Sequence, residues 1–430
     1  MFFTNNPENI FPGARIVIAQ FGDDSGGDFI EEKTFRGPLY VQIRQALEYL
    51  NSFSTTMIRK LPGQAETLRT VAFPYEAMEE ALVNAVFHRS YDGEHEPTKI
   101  MLYPNRMELT SYPGPMPGLH LEQFKEGNRV PRVPLRNRRI GEFLKELRLA
   151  EAWGTGVSKI RRRMRENGSP EPQFEFGDTY FTVILPAHPQ YIVIHALRES
   201  AHLWAVGEKK QALEHVKAAV QRVPQSGALA ARLIEYTSLI GEISEAEHYL
   251  QGFKHQEYGS TDGHLPYLAM ARAYLDFQDS RKAASVLEQA KQPIRYDELI
   301  EFAVLHKRAG DLESAHRLFS DNFEFIREDP KAVHEFAETK MKLATQLRKR
   351  GGRASDIQTR LYKEAVELLR RVVFLSKDDM RTAWSYFHLA QALSRLRLPE
   401  TEVTQAIEKA IAILPHENKF KEWIHNRKRD

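Results

Sequence analysis

From about residue 190 to its end the chain shows no strand-like alternation, and small residues recur at a nearly fixed interval. Gly207, Ala212, Ala219 and Pro224 are spaced 5, 7 and 5 apart, Gly241 and Ala246 repeat the first interval, and Gly241 follows Gly207 by 34 residues. Tyr267, Ala271, Tyr274, Ala283, Leu287 and Ala290 continue the series, then Ala303, Gly310, Ala315 and Phe319, and finally Val403, Ile407, Ala410 and Pro415. One unit of such a repeat cannot bury its own apolar face, so it must stack on a neighbour. The second half is therefore constrained to an all-α array of helix pairs.

These spacings resemble the tetratricopeptide repeat, in which small residues let two helices approach and larger ones fill the gaps between units. Five or six units fit between residues 191 and 415, with the unit at 330–376 stretched by "RKRGGRASD". Stacked pairs form a superhelix whose concave surface takes extended peptides or helices, so residues 191–430 are expected to bind a protein partner. Packing against the first half, or pairing with a second copy, is the alternative.

The first half has a different grammar. Strand-like runs occur at "ARIVIAQF", "TKIMLYP", "RMELTSY", "PQFEF" and "YFTVILP", punctuated by "YPGPMPG" and "NGSPEP". This mixture predicts an α/β or α+β domain ending near Ala187 to Tyr191. With 430 residues, 42% of them apolar and 27% charged, the chain is long enough for two or three cored domains and too apolar for disorder. The absence of cysteine removes disulfides, thiolate metal sites and cysteine nucleophiles. Neither a signal-peptide pattern nor an apolar run long enough for a membrane span occurs, which leads us to expect a cytoplasmic protein with no membrane partner.

A helix predicted over 74–90, "PYEAMEEALVNAVFHRS", carries Glu80 and Asn84 one turn apart beside the apolar stripe Ala77, Ala81, Leu82, Ala85 and Val86. A carboxylate and an amide on one face offer hard oxygen donors for Mg²⁺ and for orienting water, or else a polar flank at the surface. His88, on the same helix, reads as a packed or capping histidine. A glycine pair, "WGTGV", precedes the basic helix "SKIRRRMREN", where backbone amides and a helix dipole can approach phosphate. "GDDSGGD", at 22–28, is glycine-rich but acidic and reads as a surface turn. Neither a GxxxxGK[ST] loop nor a GxGxxG fingerprint is present.

Taken in order, "EALVNAVFHRSY", "RMELTSYPGPMPG" and the run from "RVPLRNRRIG" to "YFTVILP" resemble the histidine-kinase-like (GHKL) ATPase module of Schlafen/AlbA-type, RecG-like bacterial proteins, over roughly residues 5–186. The resemblance implies an N-terminal segment at 1–72, an ATP-binding α/β sandwich at 73–188 and the tetratricopeptide-like solenoid beyond, an α+β chain overall. It assigns Asn84 to Mg²⁺, Glu80 to activating water, and Gly154, Thr155, Gly156 and Lys159 to the phosphates, which Arg89 could also reach. Where the family carries Asp-x-Gly-x-Gly this chain has Ser111, Gly114 and Gly118, so a hydroxyl that holds adenine more weakly and less selectively stands in for the aspartate. The resemblance further implies a nucleotide-controlled regulator, with slow hydrolysis at most, in bacterial regulation or phage defence. Such modules also dimerise, so a homo-oligomer is among the expectations. The relatives' preceding nucleic-acid-binding domain is expected to be absent or supplied by another protein.

Charge adds a second possibility. Between Arg129 and Arg165 there are twelve Lys or Arg against three acids, whereas residues 1–96 hold fourteen acids against eight bases. Such a stripe can bind nucleic acid or be a solvated helix face. A fold that has lost nucleotide binding and survives as an interaction scaffold is the remaining alternative.

Overall fold

The structure is a computed structural model that describes residues 1–430 except 55, 61–66, 94, 126–127, 129, 132, 150–154, 255–261, 351–353 and 428–430. It divides into two compact units, Met1–Val223 and Pro224–Asp430.

In the first unit, strands β1 (Ile16–Phe21), β2 (Phe29–Phe35), β5 (Thr98–Leu102), β6 (Arg106–Ser111), β7 (Gln173–Phe176) and β8 (Phe181–Pro186) form one sheet in the order β2-β1-β5-β6-β8-β7. β3 (Thr56–Lys60) and β4 (Thr67–Val71) make a separate hairpin. The β1–β5 pair is parallel and the other pairs of the large sheet are antiparallel. Helices α1 (Leu39–Phe53), α2 (Tyr75–His88), α3 (Arg138–Glu146) and α4 (Gly156–Asn167) complete the sandwich. α1 packs on β1, and α2 packs on β6, β8 and α4. The core joins alternate strand residues, Ile16, Ile18, Ile100, Met107, Leu109 and Leu185, to the apolar stripes of α1 and α2.

The five strand-like runs all lie on strands of this sheet. β2 carries no strand signal in its sequence, because FIEEKTF sits at the sheet edge, exposed along most of its length, and lacks the one-sided alternation that marks a half-buried strand. The GDDSGGD segment is the β1–β2 turn, where Asp23 accepts backbone N–H bonds from Ser25 (2.6 Å), Gly27 (3.2 Å) and Asp28 (2.5 Å).

The unit boundary lies 35 residues beyond the composition change at 188, since unit 1 runs to Val223. Helices α5 (Pro189–Ala205) and α6 (Lys209–Arg222) have the repeat spacing but group with the sheet. Tyr191 and Ile192 pack on its core, the His188 N–H donates to the Ala72 carbonyl at 3.0 Å, and Arg222 pairs with Asp24.

The second unit is helical throughout its described residues: α7 (Gly227–Leu239), α8 (Ile243–Lys254), α9 (Leu265–Asp276), α10 (Ser280–Gln289), α11 (Tyr296–Ala309), α12 (Leu312–Asp321), α13 (Phe323–Ile326), α14 (Pro330–Arg350), α15 (Ala354–Leu375), α16 (Asp379–Arg395), α17 (Glu400–Ile413) and α18 (Asn418–Arg427). The recurring alanines Ala246, Ala271, Ala283, Ala303 and Ala315 are buried at the helix–helix contacts. The stretched unit is the long α14–α15 hairpin. Gly241 and Gly310 take positive φ, +92° and +87°, at the turns after α7 and α11. Gln278 (+62°) and Arg397 (+54°) occupy the same turn after α9 and α16 without glycine's freedom. The fold class is α+β, a sheet-and-helix sandwich followed by a helical solenoid.

Candidate functional site

α2 starts after Pro74 and buries Ala77, Met78, Ala81, Leu82, Ala85 and Val86 against the sheet. Glu80 and Asn84 flank this stripe, half-buried. Asn84 Nδ2 donates to Glu80 Oε1 at 3.0 Å, and Lys159 Nζ, one turn into α4, stands 3.2 Å from Glu80 Oε2. The side chains of Lys159 and Glu80 are 19% and 12% exposed, so both carboxylate oxygens are compensated from within the protein. Gly156 brings the start of α4 so near that a Cβ there would collide with the Glu80 carboxylate and the Asn84 amide. A side chain would hold the positive end of the helix away from this carboxylate.

These groups form one side of a cavity of about 530 Å³, a size that suits a small-molecule ligand. Ser111, Gly114 and Thr155 also line it. The structure thus gathers Glu80, Asn84, Ser111, Gly114, Thr155 and Gly156 at one cavity, with Lys159 joined to it through Glu80. Gly154 lies outside the described residues.

Two of the expected residues are elsewhere. Arg89 caps α2 with an extended backbone, so the chain leaves the helix and carries the side chain inward. Its guanidinium is 1% exposed and donates to Thr98 Oγ1 (3.2 Å) and to the carbonyls of Ser90 (3.2 Å) and Glu96 (2.5 Å). It is an internal brace, and the expectation that it reaches phosphate is withdrawn. Gly118 is a turn glycine, φ +94°, that does not itself line the cavity, although Met116 and Leu119 on either side of it do. Gly114 has a packing role as well: its N–H donates to the Asp178 carbonyl at 3.0 Å, and a Cβ would collide with the Gly177 carbonyl.

His88 is not a core residue. It is exposed and borders the cavity beside Phe87, and the surrounding protein, followed by the Arg136 guanidinium, lowers its imidazole pKa. Arg136 and Asn137 were missed by sequence reasoning. Arg136 donates to the carbonyls of His88 (3.0 Å) and Gly114 (2.8 Å), and Asn137 Nδ2 to those of Phe87 (2.8 Å) and Arg89 (2.5 Å). Together they satisfy the carbonyls that the end of α2 leaves open and fasten the segment before α3 over the cavity. No local signal announced them, because they lie 48 residues beyond the end of α2, in the segment just before α3.

The basic stripe is laced with its own acids. Arg138 and Arg139 pair with Glu142 at 3.1 and 3.2 Å, Arg163 with Glu166 at 2.8 Å, Arg165 with Glu171 at 3.0 Å and Lys159 with Glu80. Arg161 is buried and donates to the Phe124 carbonyl. Arg129 and Arg132 lie outside the described residues.

Among the described residues no group of three or more His, Cys, Asp or Glu side chains could hold a metal by itself, and no helix is long and apolar enough to cross a membrane. A metal carried by phosphate makes a smaller demand, one or two protein oxygens. Asn84 fits it, because donation of its N–H to Glu80 leaves Oδ1 as the free end of the amide.

Residues 95–185 match the family described as "Putative ATP-dependent DNA helicase recG C-terminal". No curated protein sequence matches the chain. Among solved structures, the DIP2311 protein from Corynebacterium diphtheriae is similar at 19% identity over 42% of this chain, which spans only 37% of that protein's length, with a TM-score of 0.35. YrrB, described as a TPR protein with an unusual peptide-binding site, matches at 15% identity over 50% of this chain and 97% of its own, TM-score 0.36. Pseudomonas aeruginosa pilF matches at 13% identity over 55% and 99%, TM-score 0.37. Over residues 95–185, from β5 through β8, the first unit is therefore similar to the RecG C-terminal ATPase-like family, and the chain joins this nucleotide-related module to a helical-repeat arm.

Proposed function

We propose that the first unit binds ATP with Mg²⁺ in the 530 Å³ cavity and that nucleotide occupancy controls what the helical-repeat arm holds. The observation that carries this reading is the Glu80–Asn84–Lys159–Gly156 cluster at the side of a cavity whose remaining walls fall largely within the family match. The cluster presents an amide oxygen, a compensating ammonium and a helix N-terminus together, the combination that phosphoryl groups require.

In this reading Asn84 Oδ1 holds the metal, and bound Mg²⁺ supplies charge neutralisation to the phosphates. Lys159 and the backbone at Thr155 and Gly156 orient the phosphate chain, and the wall containing Ser111 receives the base. Glu80 is the group that could position an attacking water. Its carboxylate is engaged by Lys159 until the ammonium moves to phosphate, which favours slow turnover or none. The repeats supply a protein-binding surface, and the whole protein would act as a nucleotide-controlled regulator in the cytoplasm. A role in bacterial phage defence and a homo-oligomeric state follow from the family resemblance alone.

Calorimetric titration of a non-hydrolysable ATP analogue into the full chain, with Mg²⁺ and with chelator, tests the reading. Binding that depends on Mg²⁺ and weakens at least about tenfold in Asn84→Ala is the expected result. Equal binding by Asn84→Ala would remove Asn84 from the site, and no heat at millimolar nucleotide would overturn nucleotide binding.

A further inference from the structure

Two histidines of the second unit meet where α14 packs on α16. The ring centroids of His334, on α14, and His388, on α16, are 5.2 Å apart with the rings 35° from parallel, and the Trp384 indole lies 5.9 Å from His388. Ser385 fixes the proton on His334. Its hydroxyl belongs to a fully buried residue and gives its one hydrogen to the Arg381 carbonyl at 2.8 Å, so the 2.7 Å contact with His334 Nδ1 is an N–H donated by the imidazole. His334 is therefore the Nδ1–H tautomer, and a second proton has only Nε2 to go to. His388 is more tightly limited. Its Nδ1 is sealed from solvent, and no described residue hydrogen-bonds it. An imidazolium carries an N–H on both nitrogens, so protonating His388 leaves a buried donor with nothing to accept it.

The charges around the pair do not offset this. Glu335 and Glu338 of α14 favour a proton on His334, and Glu338 favours one on His388, but Lys307 of α11 engages both carboxylates and Lys342 of α14 pairs with Glu338 at 2.9 Å. Lys307 and Arg381 oppose a charge on His334, and His334, Lys307 and Lys342 oppose one on His388. Lys419 of α18 adds a cation over the Trp384 ring, at 5.5 Å. Burial acts before any of these and also disfavours the charged form, so both imidazoles titrate below their ordinary value of 6.5. Below pH 6.5 an open state then binds more protons than the closed one: stability is full above that value and is lost as the pH falls beneath it. We infer that the His334–His388 pair is an acid-sensitive joint in the helical arm, at which protonation loosens α16 from α14. The inference concerns the second unit alone and is independent of the nucleotide reading. It makes the C-terminal helices of the arm responsive to a fall from neutral to mildly acidic pH.

Amide hydrogen exchange of the full chain at about pH 7.5 and pH 5, corrected for the intrinsic pH dependence of exchange, tests the joint. An imidazole that stays neutral in the closed state at pH 5 while titrating near 6.5 in the open one shifts the opening equilibrium by up to about thirtyfold. Protection of the α16 amides should therefore fall on the order of tenfold or more between the two conditions. His334→Asn keeps a donor for Ser385, and His388→Phe keeps an aromatic ring beside Trp384. The double variant should hold its α16 protection across the same interval to within about twofold. A loss as large as that of the wild type would overturn the inference. Imidazole NMR of the histidine-labelled wild-type chain, assigned through the single substitutions, gives a second reading and decides alone if the double variant does not fold. Both resonances should titrate below 6.5, and either one titrating at that value or above in the folded chain would overturn the joint.

Discussion

Each unit buries a lysine against carboxylates, and the two clusters differ in what surrounds them. In the first unit Lys159 meets Glu80 at a cavity, with Asn84 and the start of α4 completing the shell. In the second, Lys307 of α11, 6% exposed at its side chain, holds Glu335 and Glu338 of α14. Lys342 and Glu338 add a further pair at 2.9 Å. Both arrangements satisfy buried charge locally. The first has open volume beside it, so its charges can be exchanged for those of a ligand. A buried ion pair by itself identifies no site, whereas one beside a cavity marks a candidate.

The largest expected effect breaks the sealed cluster. Lys307→Met leaves two carboxylates without their cation and should destabilise the second unit by about 3–5 kcal/mol, read from urea unfolding followed by circular dichroism. Lys159→Met strips the cation from one carboxylate rather than two, so it should destabilise the first unit less than Lys307→Met does the second, while weakening nucleotide binding about tenfold or more. Equal destabilisation by the two substitutions would erase the distinction between a structural and an exchangeable cluster.

Acid should act on the sealed cluster next. Burial alone would raise the Glu338 pKa, but the Lys307 ammonium, with Lys342, outweighs it and brings the carboxyl down to about 2. A carboxyl depressed in the folded state stabilises above its unfolded value, near 4.5, and loses that contribution as pH falls towards 2. The second unit should therefore lose on the order of 2–3 kcal/mol across this window, and unfolding curves of Lys307→Met should show a smaller slope there. An unchanged slope in the variant would detach Glu338 from Lys307.

The same contrast explains what was legible in the sequence. The Glu80–Asn84 couple could be read because helical periodicity fixes which residues share a face. The Lys159–Glu80 pair could not, since it joins two helices brought together only by the fold. Arg89 was misplaced for a related reason: adjacency to a motif says nothing about direction once the chain leaves its helix with extended backbone at the C-cap. The repeats were legible from their alanines, which recur because each turn reuses one contact. Their limit was less so, because Tyr191 and Ile192 look like any repeat residues until the core they pack on is known. Ser111 stood out in sequence as a hydroxyl where the resemblance places a carboxylate, but its position in the cavity wall is a property of the fold.

Glycine gives the finest version of the comparison and the smallest effect. Gly114 and Gly156 in the first unit are required for space, since a Cβ on either meets neighbouring atoms. Gly241 and Gly310 in the second have open space around them and are required for positive φ. Gly310→Ala should accordingly cost about 1 kcal/mol through backbone strain alone, with no dependence on nucleotide. The converse is the sharper test, because Gln278 and Arg397 already carry that strain at +62° and +54°. Gln278→Gly relieves an unfavourable left-handed backbone while adding freedom to the unfolded chain, and these effects oppose each other. With αL strain of roughly 1–2 kcal/mol against an entropy difference of about 0.5–1 kcal/mol, the net should be a stabilisation of several tenths of a kcal/mol, visible as a small rise in urea midpoint. A fall in the midpoint would mean that the Gln278 side chain stabilises the turn by more than its backbone strain costs, and that the turns of the repeat are not equivalent.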